Sequence, residues 1–175
     1  DKTKPPYIRK YTEVESYMKE GRDSGFFVTY NHPTWSMQDY SDYMTYDSMH
    51  AMEISNTGCI VSGYNEYNPR VYDDMLRGGK KLFVIGADDT HKPADMFGGY
   101  VQILSDSLDY NSITTSLLNG DFYAVTGDNG PRIHELSIDG LSVHIKCSHC
   151  VSISVTTGIR RAYCKTGDAL TEATF

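Results

Sequence analysis

Two short segments bring together the residue types that hold divalent metals. Asn31-His32-Pro33 follows the apolar run Phe26-Phe27-Val28-Thr29-Tyr30, and Gly86-Ala87-Asp88-Asp89-Thr90-His91 follows Leu82-Phe83-Val84-Ile85. Each places imidazole or carboxylate groups where a strand leaves its sheet. Barrel-like α/β enzymes do their chemistry there, because the strand fixes the side chain while the loop opens to substrate. An Asp and a His two residues apart, as Asp89 and His91 are, with another His brought in from elsewhere, can form one face of a divalent-metal site.

The bulk properties narrow the partners. The balance of 16 Lys+Arg against 23 Asp+Glu, net −7, disfavours nucleic-acid binding, which needs phosphate neutralisation. No apolar run approaches the roughly 18 residues of a membrane span, and Asp1 to Lys10 does not read as a signal peptide. The cysteines Cys59, Cys147, Cys150 and Cys164 suggest no disulfide scaffold, so a reducing, cytoplasmic setting is expected. Cys147-Ser148-His149-Cys150 lacks the second ligand pair of a structural zinc site. Half-buried strand thiols are the simpler reading, with a Cys147–Cys164 disulfide left open.

The elements that must position these groups follow from local signals. Thr12-Glu13-Val14-Glu15 is a capping box, which predicts a helix over Glu13 to Glu20 stopped by Gly21. A strand Phe26 to Tyr30, a helix from a Ser36 cap through Tyr46, and a strand Ala51 to Ile54 come next. Asn68-Pro69 opens a helix that ends at Gly78-Gly79. A strand Lys81 to Ile85, a strand Tyr100 to Leu104 and a helix Ser112 to Leu118 ended by Asn119-Gly120 complete the alternation. This is the spacing of βα units with parallel strands. Beyond residue 126 the texture changes: Ile133 to Ile138 alternates, Asp139-Gly140 signals a hairpin, and Leu141 to Cys147 returns. Val151 to Val155 and Ile159 to Cys164, joined at Thr157-Gly158, continue in the same style. The expected domains are therefore 1–126 and an antiparallel unit, 127–175, forming one layer of a sandwich.

Taken together, Tyr30-Asn31-His32-Pro33, Met52-Glu53-Ile54-Ser55-Asn56, Gly86-Ala87-Asp88-Asp89-Thr90-His91 and Leu117 to Gly127 resemble the PHP (polymerase and histidinol phosphatase) family of metal-dependent phosphoesterases. Leu136-Ser137-Ile138-Asp139-Gly140 resembles the first hairpin of the β-sandwich module carried by one subgroup. The resemblance implies α/β architecture with a distorted (βα)7 barrel, two or three Zn, Mn or Fe ions, and hydrolysis of a small phosphorylated substrate by a metal-activated water. The family's His-before-Pro motif matches His32, and its Asp-x-His motif matches Asp89 and His91. Asn31, Glu53, Asn56 and Asp88 are expected to line or support the pocket without a metal role.

The resemblance also carries a departure. The family's first His-x-His motif and its second motif have no counterpart here, so this sequence matches only the C-terminal part of the barrel. Weak metal binding and little activity alone are expected. An incomplete barrel leaves an open edge, so a homo-oligomer, or pairing with a missing N-terminal half, is expected. Two other readings stay open: a metal-dependent hydrolase of C–N or C–O bonds, and a non-catalytic binding module.

The remaining polar and aromatic residues read more simply. His134, His144 and His149 are surface strand residues, and His50 is structural. Tyr40, Tyr43 and Tyr46 form a helix face. Trp35 either walls the pocket or packs at its rim, and Lys92 either meets a phosphate or is solvated.

Overall fold

In the computed structural model, which describes residues 14–175, the chain divides between Asp128 and Asn129 into two units. In the first, Ala51–Asn56 forms a strand (β2) buried on both sides, as central parallel strands are, with Glu53 and Asn56 as buried polar residues among Ala51, Met52, Ile54 and Ser55. It is flanked by β1 (Thr29–Tyr30) and β3 (Phe83–Ala87) in a parallel sheet of order β1-β2-β3.

Helix α1 (Val14–Asp23) runs past Gly21 and stops at Gly25, whose φ of +80° allows the Phe26 N–H to reach the Gly21 carbonyl at 3.0 Å. Thr12 and Glu13 of the expected capping box lie outside the described residues. The expected Ser36–Tyr46 helix shrinks to α2 (Tyr40–Tyr43), because Asp39 takes the cap: it accepts from the Ser41 N–H while Asp42 reaches back to its own N–H. Ser36 instead bonds the His32 ring. Tyr43 and Tyr46 enter the core with Met18, Tyr30, Met49, Met52, Met75 and Leu82, while Tyr40 stays exposed. Burial of one such side chain is worth about 1.5–3 kcal/mol, so Met52 and Met75, both fully buried, are major contributors.

Two further helices surround the site. α3 (Thr57–Val61), capped by Asn56, was not expected; α4 (Pro69–Arg77) has Pro at its first position as expected.

The partial (βα)7 barrel is not formed. After β3 the chain passes a 3-10 turn (Pro93–Asp95) into β4 (Gly99–Ile103), which pairs antiparallel with β5 (Phe122–Thr126) as a separate two-stranded sheet. The reason lies in the connection. Helix α5 (Tyr110–Asn119) is capped by Asp109 and ends on Gly120 at φ +83°, so the chain reverses at once and Phe122 falls opposite Ile103. Closure needs strands that keep one tilt and stagger around the ring, and a helix folded back inside a hairpin breaks that series. A Cβ at Gly86 would lie 2.6 Å from the Val125 carbonyl oxygen and one at Gly99 2.7 Å from that of Ala87, so the two sheets approach backbone to backbone.

The second unit is one antiparallel sheet of order β6-β7-β8 (Ile133–Asp139, Ser142–Thr156, Ala162–Thr174). The Asp139-Gly140 hairpin forms as read, with Gly140 at φ +58° and Asp139 opposite Ser142. The expected strands over 141–147 and 151–155 merge into one long strand that begins at Ser142, after Leu141 in the turn, and the last strand continues through Leu170 to Thr174. Its core is small: Cys147, Ile153 and Ala173, packed by Ile145, Cys150, Leu170 and Phe175.

Candidate metal-binding site

The site begins with an irregularity in β2. Glu53 pairs with Ile85 but Ser55 with Gly86, so Ile54 is an extra residue, a β-bulge. In a regular strand residues three apart face opposite sides. Here the bulge turns Glu53 and Asn56 to the same side, and Asn56 Nδ2 donates to Glu53 Oε2 at 3.0 Å. Asn56 Nδ2 also donates to Asp89 Oδ2 at 3.1 Å, and Asn56 Oδ1 accepts the Cys59 N–H at 2.8 Å. This buried amide therefore ties β2, α3 and the Asp89 loop together.

The His32 loop is held from beneath by two buried carboxylates. Glu53 Oε2 accepts the His32 N–H at 2.9 Å. Glu66, fully buried, accepts from the Thr34 and Trp35 N–H groups at 3.0 and 2.7 Å and from Asn68 Nδ2 at 2.7 Å. Such bonds hold His32 at φ +37°, a left-handed conformation that a branched or bulky residue enters only when its surroundings fix it. Asp89 is also left-handed, at φ +49°. Burial pushes the Glu53 carboxyl up, opposed by its bonds from Asn56 and the His32 N–H.

The second segment is organised by carboxylates that face away from the opening. Asp88 accepts the Phe97 N–H at 2.6 Å on one oxygen and those of Gly98 and Gly99 at 2.9 and 2.8 Å on the other. Burial raises its carboxyl, but those N–H groups and Thr57 outweigh this and leave it below the usual range. Asp95 Oδ2 accepts the N–H groups of His91 and Lys92, both at 3.0 Å. Lys92 Nζ turns toward Asp95 Oδ1, 3.9 Å away, and does not line the opening.

His32, Asp89 and His91 come together on one pocket of about 310 Å³, walled by Trp35, Gly58 and Cys59. The Trp35 ring meets His32 edge to face at 4.9 Å. His91 Nδ1 lies 2.7 Å from the Asp89 carbonyl oxygen, which can only accept, so that nitrogen carries a proton and Nε2 is the one left without a protein partner. His32 Nδ1 shares a 3.0 Å hydrogen bond with Ser36 Oγ, and its Nε2 likewise remains uncommitted. Metal-binding histidines are oriented in this way, one ring nitrogen held and the other presented. Burial, with Glu66, Asp89 and Glu53 nearby, pushes the Cys59 thiol up to about 11, so it stays protonated.

Of the supporting residues read from sequence, Glu53 and Asn56 lie beneath the pocket and Asp88 staples the loop behind it. Asn31 does not contribute: its side chain accepts from Thr29 Oγ1 at 2.6 Å and is exposed. Glu66, Asn68, Asp95 and Gly58 were missed. No periodicity marks Glu66 in its Tyr-rich loop; Asn68-Pro69 marked only a helix start.

Two imidazoles and a carboxylate are donor types that divalent ions accept. In the geometry seen, however, the three side chains line one pocket without closing round a common point: among the described residues no group of three or more His, Cys, Asp or Glu side chains is gathered to hold a metal ion, neither the expected cluster of two or three nor a single-ion centre. The His91 side chain is 77 % exposed, and its Nδ1 lies 3.9 Å from Asp89 Oδ1. A larger cleft of about 460 Å³ beside α1 is lined by no described imidazole or thiol.

Comparison of the chain with models of protein families finds no match, and comparisons with curated proteins and with solved structures find none either. Among the described residues no helix is long and apolar enough to cross a membrane.

Proposed function

We propose that this pocket is a metal-dependent hydrolytic site for a small phosphorylated substrate, with His32, Asp89 and His91 holding the ion. The observation that carries this reading is the convergence of three residues from two separate loops, with each imidazole anchored at Nδ1 and open at Nε2. A bound divalent ion supplies Lewis acidity and activates water at neutral pH; Zn, Mn and Fe are the metals that suit imidazole and carboxylate together. The chain's own residues do the positioning. Asn56 keeps Asp89 Oδ2 occupied and so presents Oδ1. Glu53 and Glu66 fix the His32 loop and add negative charge below the pocket, which favours a cation and withholds general anion binding until one is present. Trp35 shields one side of the His32 ring from water.

The test is a Zn(II) titration of the full chain followed by the imidazole resonances in NMR and by calorimetry. The expected result is one ion per chain that shifts His32 and His91 but not His134, His144 or His149. His91→Ala should weaken it at least about tenfold, the scale on which even supporting residues of metal sites matter. Turnover of aryl phosphomonoesters and phosphodiesters is then measured with and without the ion. Zinc that shifts the β-unit histidines instead, or unchanged affinity in His91→Ala, would refute the assignment.

A further inference from the structure

The second unit contains a pair of thiols that its strand pattern should have separated. Cys147 and Cys150 are three residues apart on β7 and would point to opposite faces of a regular strand. The register shows why they do not. Lys146 pairs with Glu172 and Cys150 with Leu170, so β7 spends four residues where β8 spends two. The two surplus residues form a larger bulge that turns both side chains inward, and the sulfurs stand 3.7 Å apart. Cys147 is buried in the unit's core, Cys150 is half-buried at its edge, and neither is bonded to another cysteine. The Cys147–Cys164 pairing left open by the sequence does not fit. Cys164 lies opposite Ser154, seven residues and roughly 20 Å further along β7, with its sulfur 3.3 Å from Ser152 Oγ.

We propose that Cys147 and Cys150 form a redox-active dithiol that closes to an intrachain disulfide by exchange with a low-molecular-weight disulfide such as oxidised glutathione. Cys150, the more accessible, attacks as its thiolate, releases one glutathione thiolate and holds the other half as a mixed disulfide. Cys147 then loses its proton, attacks the Cys150 sulfur and releases the second glutathione. Two protein thiols are oxidised and one disulfide is reduced to two thiols, with no other reactant. The sulfurs must close from 3.7 Å to about 2.05 Å, a movement that the bulge allows and a flat ladder would not. Burial and the hydrogen bond to Cys150 push the Cys147 thiol up. That makes it a slow first attacker, suited to the second step once the mixed disulfide lies beside it. The product would staple the bulge beside Leu170.

The reduced chain is incubated with oxidised glutathione under anaerobic conditions. Free thiols are then alkylated, and cysteine peptides are mapped by mass spectrometry. In wild type and Cys164→Ser, the peptide spanning 147–150 should lose two hydrogens, keep no glutathione, and regain both alkylation sites after dithiothreitol. Cys147→Ser should retain glutathione at Cys150. Amide exchange near the bulge should slow at least about tenfold in the oxidised wild type. Persistent glutathione on Cys150 in wild type, a disulfide to Cys164 or to another chain, or two alkylatable thiols after the exposed Cys164 has exchanged, would overturn the proposal. The wild-type measurement decides the matter even if Cys147→Ser fails to fold.

Discussion

Removing the Glu66 carboxylate should loosen the His32 loop, and the structure sets the scale. Its two oxygens accept from Thr34 N–H, Trp35 N–H and Asn68 Nδ2 in a fully buried position. Glu66→Ala leaves these donors without their acceptor. An orphaned buried donor costs about 1–3 kcal/mol. Trp35 is 52 % exposed, so water can reach part of the loop once it shifts, and the lower end applies: about 1 kcal/mol each, roughly 3 kcal/mol together. Glu66→Gln keeps Oε1, which serves both Thr34 and Asn68, and puts an amide donor against the Trp35 N–H, so it should cost about 1–2 kcal/mol. The chain contains one Trp, and it stands in this loop, so its fluorescence reports the site directly. With a urea slope of about 2 kcal/mol per molar, Glu66→Ala should lower the Trp35 unfolding midpoint by about 1.5 M, and Glu66→Gln by less than 1 M. The emission of folded Glu66→Ala should also shift to the red. Midpoints within 0.2 M of wild type, with unchanged emission, would show that the loop does not depend on Glu66.

Other perturbations test separate parts of the account. Gly120→Ala places a Cβ at φ +83° and 2.3 Å from the Phe83 ring; left-handed strain and overpacking together should cost about 2–4 kcal/mol, read as a lower melting temperature. Gly58→Ala sets a Cβ 2.8 Å from the Asp89 carbonyl oxygen, so Asp89 and His91 must move; zinc affinity should fall while far-UV circular dichroism is kept. His50 Nδ1 accepts the Val28 N–H at 3.0 Å, which needs the neutral ring, and burial followed by the Arg22 charge lowers its pKa. Its stabilisation is therefore complete above the ordinary histidine value of about 6.5 and lost as pH falls below it. Chemical denaturation from pH 8 to 5 should show a decline that His50→Phe lacks. Serine and backbone bonds hold the Asp109 carboxyl down to about 2, so its support for α5 should persist to lower pH and disappear only in strong acid, followed by helix circular dichroism.

What was legible in the sequence was what local chemistry decides. Pro69 at a helix start, Gly120 at a helix end and Asp139-Gly140 at a hairpin each act through the backbone of one or two residues, and each stands where it was read. Of the run before His32 only Thr29–Tyr30 is strand, shorter than the expected Phe26–Tyr30, while the run before Asp88 is strand over Phe83–Ala87; both lie parallel to β2, and His32, Asp89 and His91 in the loops that follow them reach one pocket. What failed was the step from alternation to barrel. Helices and strands succeed one another through α5, but α3 and α4 follow each other, only a 3-10 turn separates β3 from β4, and β4 and β5 run antiparallel. Alternation sets the order of elements and not their direction, because a helix can lie inside a hairpin as readily as across a parallel crossover. Similarly, Asp39 and Ser36 are both good helix caps. The choice fell to the one whose partner, Asp42, completes a reciprocal pair, while the His32 ring claimed Ser36.

The buried network beneath the pocket and the paired thiols share one cause. In β2 the extra residue Ile54 brings Glu53 and Asn56, three apart, onto one side. In β7 the surplus residues between Lys146 and Cys150 do the same for Cys147 and Cys150. A strict period of two separates each pair, so pattern reading assigns one member to each face and sees no site. A bulge leaves little sign in composition, because what is lost is a ladder partner and not a residue type. The practical consequence is a rule for reading such chains. Where chemistry-bearing side chains stand three apart on a strand, the strand should be tested with one or two residues removed from its register before they are taken as unrelated. Deleting Ile54 would be the direct trial: it should restore the ladder, turn Asn56 away from Glu53, and abolish the Asp89 contact while leaving the β1-β2 pairing in place.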